Sequence, residues 1–177
     1  MLRLFVALYP PSEVAAALLA SLPPQDVAPG RDTPPEQIHL TLHFIGDRAT
    51  RELPEVIESI SRAASGLHAP ECVCPELVAL PAGQTARLIA ARVEPHPTVL
   101  ELHRRLTTRL ARPGRKPDRF EPHLTLRRYP TTGGPRVARP IERVAFTPTQ
   151  VELVRSVLSP SGASHETIHR VTLAVGG

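Results

Sequence analysis

The tetrapeptide His-Leu-Thr-Leu occurs twice, at His39 to Leu42 and at His123 to Leu126, 84 residues apart in a chain of 177. Side chains alternate faces along a strand, so His39, Thr41 and His43 would point one way and Leu40, Leu42 and Phe44 the other, into a core. In the second copy His123, Thr125 and Arg127 would share a face opposite Leu124 and Leu126. Each copy thus offers an imidazole and a hydroxyl side by side on a rigid support. Self-similarity at about half the chain length points to two related lobes, 39–42 in one and 123–126 in the other.

Such a pair suits in-line cleavage of a phosphodiester. That reaction needs a base near the nucleophile and an acid near the leaving oxygen, on opposite sides of phosphorus. Histidine, titrating near pH 6.5, serves either role. The hydroxyls of Thr41 and Thr125 can hold the non-bridging oxygens and stabilise the charge that builds in the transition state. No metal or other cofactor is required. A metallohydrolase using His39, His43 and His123 is the competing chemistry, but acids such as Asp47 are few near the first cluster, and the threonine and arginine of the second do not suit a cation. A non-catalytic RNA-binding module is the third reading, although four Phe, two Tyr and no Trp leave few stacking platforms for bases. His68, His96, His103 and His169 lack comparable context and read as surface or packing residues.

The elements that must position these groups follow from periodicity and breakers. Leu4 to Leu8 is an apolar run of strand length, and Ser12 can cap a helix over Glu13 to Ser21. Pro23, Pro24, Pro29, Pro34 and Pro35 enforce a loop until Ile38, after which the pattern alternates to Ile45. A second helix runs from near Pro54 to before Gly66, with Val56, Ile57, Ile60 and Ala64 at helical spacing. Cys72 to Leu80 and Ala86 to Val93 read as strands. The two cysteines, Cys72 and Cys74, are too close for an ordinary disulfide and read as buried thiols. A third helix, Thr98 to Ala111, sets Leu102, Leu106 and Leu110 on its apolar face. His123 to Arg127, Val137 to Phe146, Val151 to Leu158 and His165 to Val175 are strand-like. Consecutive strands in the second half favour antiparallel pairing, hence an α+β fold.

The composition, 41% hydrophobic and 21% charged, excludes a long disordered tail. The longest aliphatic run, Val14 to Ala20, is far short of the roughly 20 residues that span a bilayer. The apolar run at the N-terminus stops at Leu8, before Tyr-Pro-Pro-Ser-Glu and without a small-residue cleavage site, so a cytoplasmic protein is expected. Twenty Arg against one Lys, with no Asn and 21 Pro, reflects coding bias. The distribution of charge is more telling than its total of +4. Residues 104–128 hold nine basic side chains and two acidic ones, Asp118 and Glu121, a local charge of +7. This stretch is expected to guide an anionic polymer toward the two histidines.

These segments resemble the 2H phosphoesterases, most closely their RNA 2′,3′-cyclic phosphodiesterase branch, also called 2′-5′ RNA ligases. The resemblance lies in RLFVAL at the start, PPEQIHLTLHFIGD and RFEPHLTLRRYP around the motifs, and VELVRSVLSPSGASHETIHRVTL at the end. It implies a bilobal fold with two mainly antiparallel sheets and flanking helices around a central cleft, spanning residues 1–177 as one domain. It also implies metal-independent hydrolysis of an RNA 2′,3′-cyclic phosphate end to a 2′-phosphate, with reversible 2′-5′ ligation as a further behaviour. By the same resemblance His39 is the proton donor and His123 the proton acceptor. Thr41, Thr125 and one of Arg128 or Arg127 would bind phosphate, Arg128 ranking first by its place five residues after the second histidine. Arg104, Arg105, Arg109, Arg115, Lys116 and Arg119 would contact the RNA backbone. His165 stands where the family has a tyrosine, and is a candidate base contact. A monomer without metal, cofactor or membrane partner is expected.

Overall fold

The computed structural model describes residues 1–24, 30–82, 86–110, 119–130, 138–159 and 162–176. In chain order it contains β1 (Leu2–Leu8), α1 (Ser12–Ala20), β2 (Arg31–Asp32), β3 (Leu40–Arg48), α2 (Leu53–Ala64), β4 (Cys72–Leu80), β5 (Leu88–Arg92), α3 (Pro97–Leu110), β6 (His123–Arg128), β7 (Ala138–Phe146), β8 (Gln150–Ser159) and β9 (Gly162–Thr172). Short 3₁₀ turns at Pro35–Gln37 and Thr50–Glu52 lead into β3 and α2. The expected α+β class holds, with every strand pairing between these elements antiparallel. None of the described helices is long and apolar enough to cross a membrane.

Two local expectations are corrected. Ser12 is the first residue of α1 rather than its cap; Pro11 precedes it, and no side chain caps that end. Its fixed φ and lack of an N–H suit it to the position just before a helix. The proline-rich stretch before Ile38 also contains β2, which pairs Arg31 and Asp32 with Arg128 and Arg127 of β6.

The strands run in the order β7-β4-β5-β6-β3-β1-β8-β9, with β2 on the side of β6. Two four-stranded halves meet where β3 and β6 touch through a single paired position, Leu40 opposite Leu124. The two expected sheets are therefore one hydrogen-bonded path with a narrow waist, and the two histidine motifs lie at that waist.

Burial explains the arrangement. Leu40, Leu42, Leu124 and Leu126 are fully buried in one core with Leu102 and Leu106 of α3 and Ile60 of α2. Removing a leucine side chain from water contributes roughly 1.5–3 kcal/mol, so four of them firmly fix which face of the motifs looks inward. Cys72 and Cys74 sit in this core as free thiols, and burial pushes both up to about 12. A small separate cluster, Phe5, Ala7 and Val154 with Tyr9 and Phe44 against it, lies on the other face of the sheet.

Candidate active site

The side of the sheet away from the helices carries a cavity of about 480 Å³ whose walls include His39, Thr41, Phe44, Thr125, Arg128 and His165. Continuing the Leu40–Leu124 register one residue either way sets His39 beside Thr125 and Thr41 beside His123. The two motifs thus form a crossed square of two imidazoles and two hydroxyls. His123 itself is outside the cavity lining, two residues before Thr125 on the same strand face.

Both imidazoles are anchored in the same way. His39 Nδ1–H donates to the Gln37 carbonyl at 2.7 Å, and His123 Nδ1–H donates to the Glu121 carbonyl at 2.7 Å. A carbonyl only accepts, so each anchor fixes the proton on Nδ1 and leaves Nε2 as the nitrogen for chemistry. His39 is further held by rings: Phe5 stacks on it at 4.8 Å, Tyr9 lies at 5.4 Å, and His165 meets it edge-on at 5.1 Å. Burial is the main cause that lowers the His39 pKa to about 4, with His165, Arg128 and His123 adding to it and the Gln37 hydrogen bond opposing. The free protein therefore holds His39 neutral at pH 7. Burial and Arg128 also lower His165, whose buried Nδ1 has no hydrogen-bond partner among the described residues.

Strict alternation fails just past each threonine. In β3 Ala7 pairs with Thr41 and Val6 with His43, so Leu42 is an extra residue; in β6 Ala90 pairs with Thr125 and Ile89 with Arg127, so Leu126 is extra. A bulge places two residues against one and shifts everything after it to the other face. Phe44 therefore turns toward the cavity and His43 away, where it hydrogen-bonds Thr107 of α3 at 3.3 Å. The Leu42 carbonyl at the bulge accepts from His103 Nδ1–H of α3 at 2.7 Å. The expected face shared by His39, Thr41 and His43 is thus corrected, and the three histidines of the metal reading do not converge. Among the described residues no group of three or more His, Cys, Asp or Glu could hold a metal ion.

The second bulge does the same to the arginines. Arg128 lines the cavity, whereas Arg127, expected on the His123 face, is 5% exposed on the other side. Its guanidinium grips the Asp32 carboxylate and donates to the Pro23 carbonyl at 2.8 Å. This clamp fastens β2 to β6, and the chain entering β2 has no room for a side chain: a Cβ on Gly30 would come within 2.6 Å of Arg127 Cδ and 2.9 Å of Tyr129 Cε1. Arg31 and Thr33, held by that clamp, join the cavity wall.

Of the basic side chains in 104–128, only Arg128 among the described residues lines the cavity. Arg104 and Arg105 are paired with Glu101, and Arg105 also donates to the carbonyls of Ala63 and Ser65 on the α2 side. Arg109 and Arg119 are exposed and, like the other two, are not among the cavity's lining residues. Arg112, Arg115, Lys116 and Asp118 lie outside the described residues. The cations in the cavity are instead Arg3, Arg31 and Arg128. Sequence does not single out Arg3 and Arg31: isolated arginines give no periodic signal, and the alternation of Arg3 with Phe5 on β1 is the one local sign of a shared face.

With this geometry in view, known proteins agree. A sequence model of the 2′-5′ RNA ligase superfamily matches residues 10–158. A protein of Thermus thermophilus named RNA 2′,3′-cyclic phosphodiesterase is 31% identical over 185 residues, covering 97% of this chain and 90% of that one. The crystal structure of TT0787, also from Thermus thermophilus, superposes with a TM-score of 0.81 at 31% identity, over 99% of this chain and 100% of that one. LigT of E. coli complexed with 3′-AMP shares the fold, with a TM-score of 0.75 at 22% identity over 98% of each chain. Two His-x-Thr strands meeting at the waist of an antiparallel sheet, and a family match spanning both, make this chain a member of the 2′-5′ RNA ligase superfamily of 2H phosphoesterases.

Proposed function

We propose that the chain hydrolyses RNA 2′,3′-cyclic phosphate ends to 2′-phosphomonoesters, without a metal, and that residues 1–177 act as two related lobes contributing one histidine each. The observation that carries this reading is the matched anchoring of His39 and His123, which commits Nδ1 of each and leaves each Nε2 for chemistry, on strands that meet at Leu40 and Leu124. Water attacks phosphorus while His123 Nε2 accepts its proton. The bond from phosphorus to the 3′-oxygen breaks, and His39 Nε2–H supplies the proton that makes it a hydroxyl. The phosphate remains on the 2′-oxygen, and the two imidazoles exchange their protons with solvent before the next cycle.

Thr41 and Thr125 donate hydroxyl hydrogen bonds to the non-bridging oxygens, and the Arg128 guanidinium offsets their charge. The substrate also prepares its own acid. An anion beside Arg128 offsets one of the charges that disfavour a proton on His39, so binding raises the proton affinity of a group that is neutral in the free protein. The relative from Thermus thermophilus, named for the same reaction, supports this reading. His165, edge-on to His39, takes the place of a base contact next to the reacting ribose.

The same acid and base would serve the reverse reaction, joining a cyclic phosphate to a 5′-hydroxyl. Water at solvent concentration outcompetes a scarce hydroxyl, so hydrolysis dominates. A time course on a nicked tRNA-like pair, with EDTA present, tests this: ends carrying 2′-phosphate should exceed joined product throughout. More joined product than 2′-phosphate, or loss of turnover on adding the chelator, would overturn the proposal.

A further inference from the structure

We propose that Arg3 binds the phosphodiester immediately upstream of the reacting cyclic end, so that this protein prefers oligonucleotide ends to mononucleoside cyclic phosphates. The inference rests on the reading above and extends it to the substrate's length. Four observations converge on Arg3. It is a cation on the wall of the reaction cavity, on the same face of β1 as Phe5, whose ring stacks on His39. Two residues of strand separate Arg3 from Phe5, about 6.6 Å, a span comparable to one step of an extended nucleic-acid backbone.

The second observation is its lack of a carboxylate partner among the described residues. Nine described arginines are ion-paired to Asp or Glu, and the three that line the cavity are not. Arg31 and Arg128 belong to β2 and β6, the side of the phosphate grip; Arg3 is the cavity's cation on β1, across the ladder from Asp47 of β3. Third, its guanidinium lies over the Phe44 ring at 5.1 Å. A guanidinium held over a ring face uses none of its N–H donors on that contact, so they remain available for a phosphate.

Finally, the cleft continues past Arg3. A second cavity of about 400 Å³ shares Arg3 and Ser156 with the first and is also bounded by Met1, Asp47, Arg155 and Val157. A strand leaving the histidines over Arg3 thus has room for the preceding nucleoside. Arg155 is paired with Glu166, so among the arginines of this second cavity Arg3 is the one without a carboxylate ion pair among the described residues.

The test compares kcat/KM for a trinucleotide RNA 2′,3′-cyclic phosphate with that for a nucleoside 2′,3′-cyclic phosphate lacking a 5′-phosphate. In the wild type the trinucleotide should be the better substrate, and Arg3→Gln should lower the ratio about tenfold, the size expected for one charge-assisted contact. Arg62→Gln, on the exposed side of α2 and paired with Glu58, should leave the ratio at the wild-type value. Binding of a 5′-labelled trinucleotide ending in 2′-phosphate, followed by fluorescence anisotropy, gives a readout without turnover: Arg3→Gln should weaken it and reduce its log-log salt slope by about 0.7, one phosphate on a single strand. Equal losses on both substrates, no preference for the trinucleotide in the wild type, or an unchanged salt slope would overturn the role of Arg3. If the wild type turned over neither substrate, the proposed reaction would fall, while anisotropy would still decide whether Arg3 holds a phosphate.

Discussion

Replacing His39 or His123 by Ala should lower kcat on a 2′,3′-cyclic-phosphate oligonucleotide by about 10²–10⁴-fold, the usual contribution of a positioned acid or base, with a much smaller change in KM. The reasoning is geometric. Each imidazole reaches the reaction through Nε2 only, because Nδ1 is committed to a backbone carbonyl two residues earlier. No neighbouring group among the described residues duplicates either one: His43 is turned to Thr107, and His165 meets His39 by its ring edge, from β9. The double variant should lose little more than the worse single one, since acid and base act in one step and their effects do not add. Stopped or continuous assays of both single variants and the double, with EDTA throughout, make the comparison. Unchanged activity in either single variant would remove that histidine from the mechanism. Undiminished RNA binding in both, with no turnover of any cyclic phosphate by the wild type, would favour a binding module instead.

The second large effect separates two adjacent arginines. Arg128→Gln should lower kcat/KM about 10²-fold, as for removal of one donor to a developing oxyanion, while leaving thermal stability near that of the wild type, because Arg128 is solvent-exposed and has no carboxylate partner to strand among the described residues. Arg127→Gln should do the reverse. It breaks the ion pair to Asp32 and the bond to the Pro23 carbonyl, and costs about 1–3 kcal/mol of stability, toward the low end because Asp32 is 45% exposed on its side of the pair. Its effect on kcat/KM should stay under about tenfold, felt through the seating of Arg31 and Thr33. Paired kinetics and chemical denaturation of the two variants read both quantities. A stable Arg127→Gln protein with the larger catalytic defect would mean that the bulge at Leu126 does not govern which arginine meets the phosphate.

That pair of residues marks where the sequence could be read and where it could not. The motifs announced themselves, because His-Leu-Thr-Leu carries its chemistry in two residue types and its orientation in two leucines that demand burial. The helix ending before Gly66 and the strand from Cys72 to Leu80 were equally legible from period and breakers. Past Thr41 and Thr125 strict alternation no longer holds. A bulge has no signature in composition; it arises here because Leu42 and Leu126 both pack into the core while their next neighbours find partners on the helix side, His43 at Thr107 and Arg127 at Asp32.

β2 escaped for a different reason. Two residues cannot display a period, and its pairing is enforced from a distance by the Arg127 clamp. Charge density along the chain is a one-dimensional quantity, and α3 pairs Arg104 and Arg105 with Glu101 and turns Arg105 to the Ala63 carbonyl of α2. The cations that face the cavity come singly from β1, β2 and β6, gathered by a topology that no local window contains.

The most direct test of the central claim, that two histidines here open a cyclic phosphate toward the 2′ side, is phosphorus NMR of a short RNA 2′,3′-cyclic phosphate incubated with the protein in EDTA. The cyclic resonance should give way to that of a 2′-phosphomonoester alone. Appearance of a 3′-phosphomonoester, or persistence of the cyclic signal until a divalent metal is supplied, would contradict it.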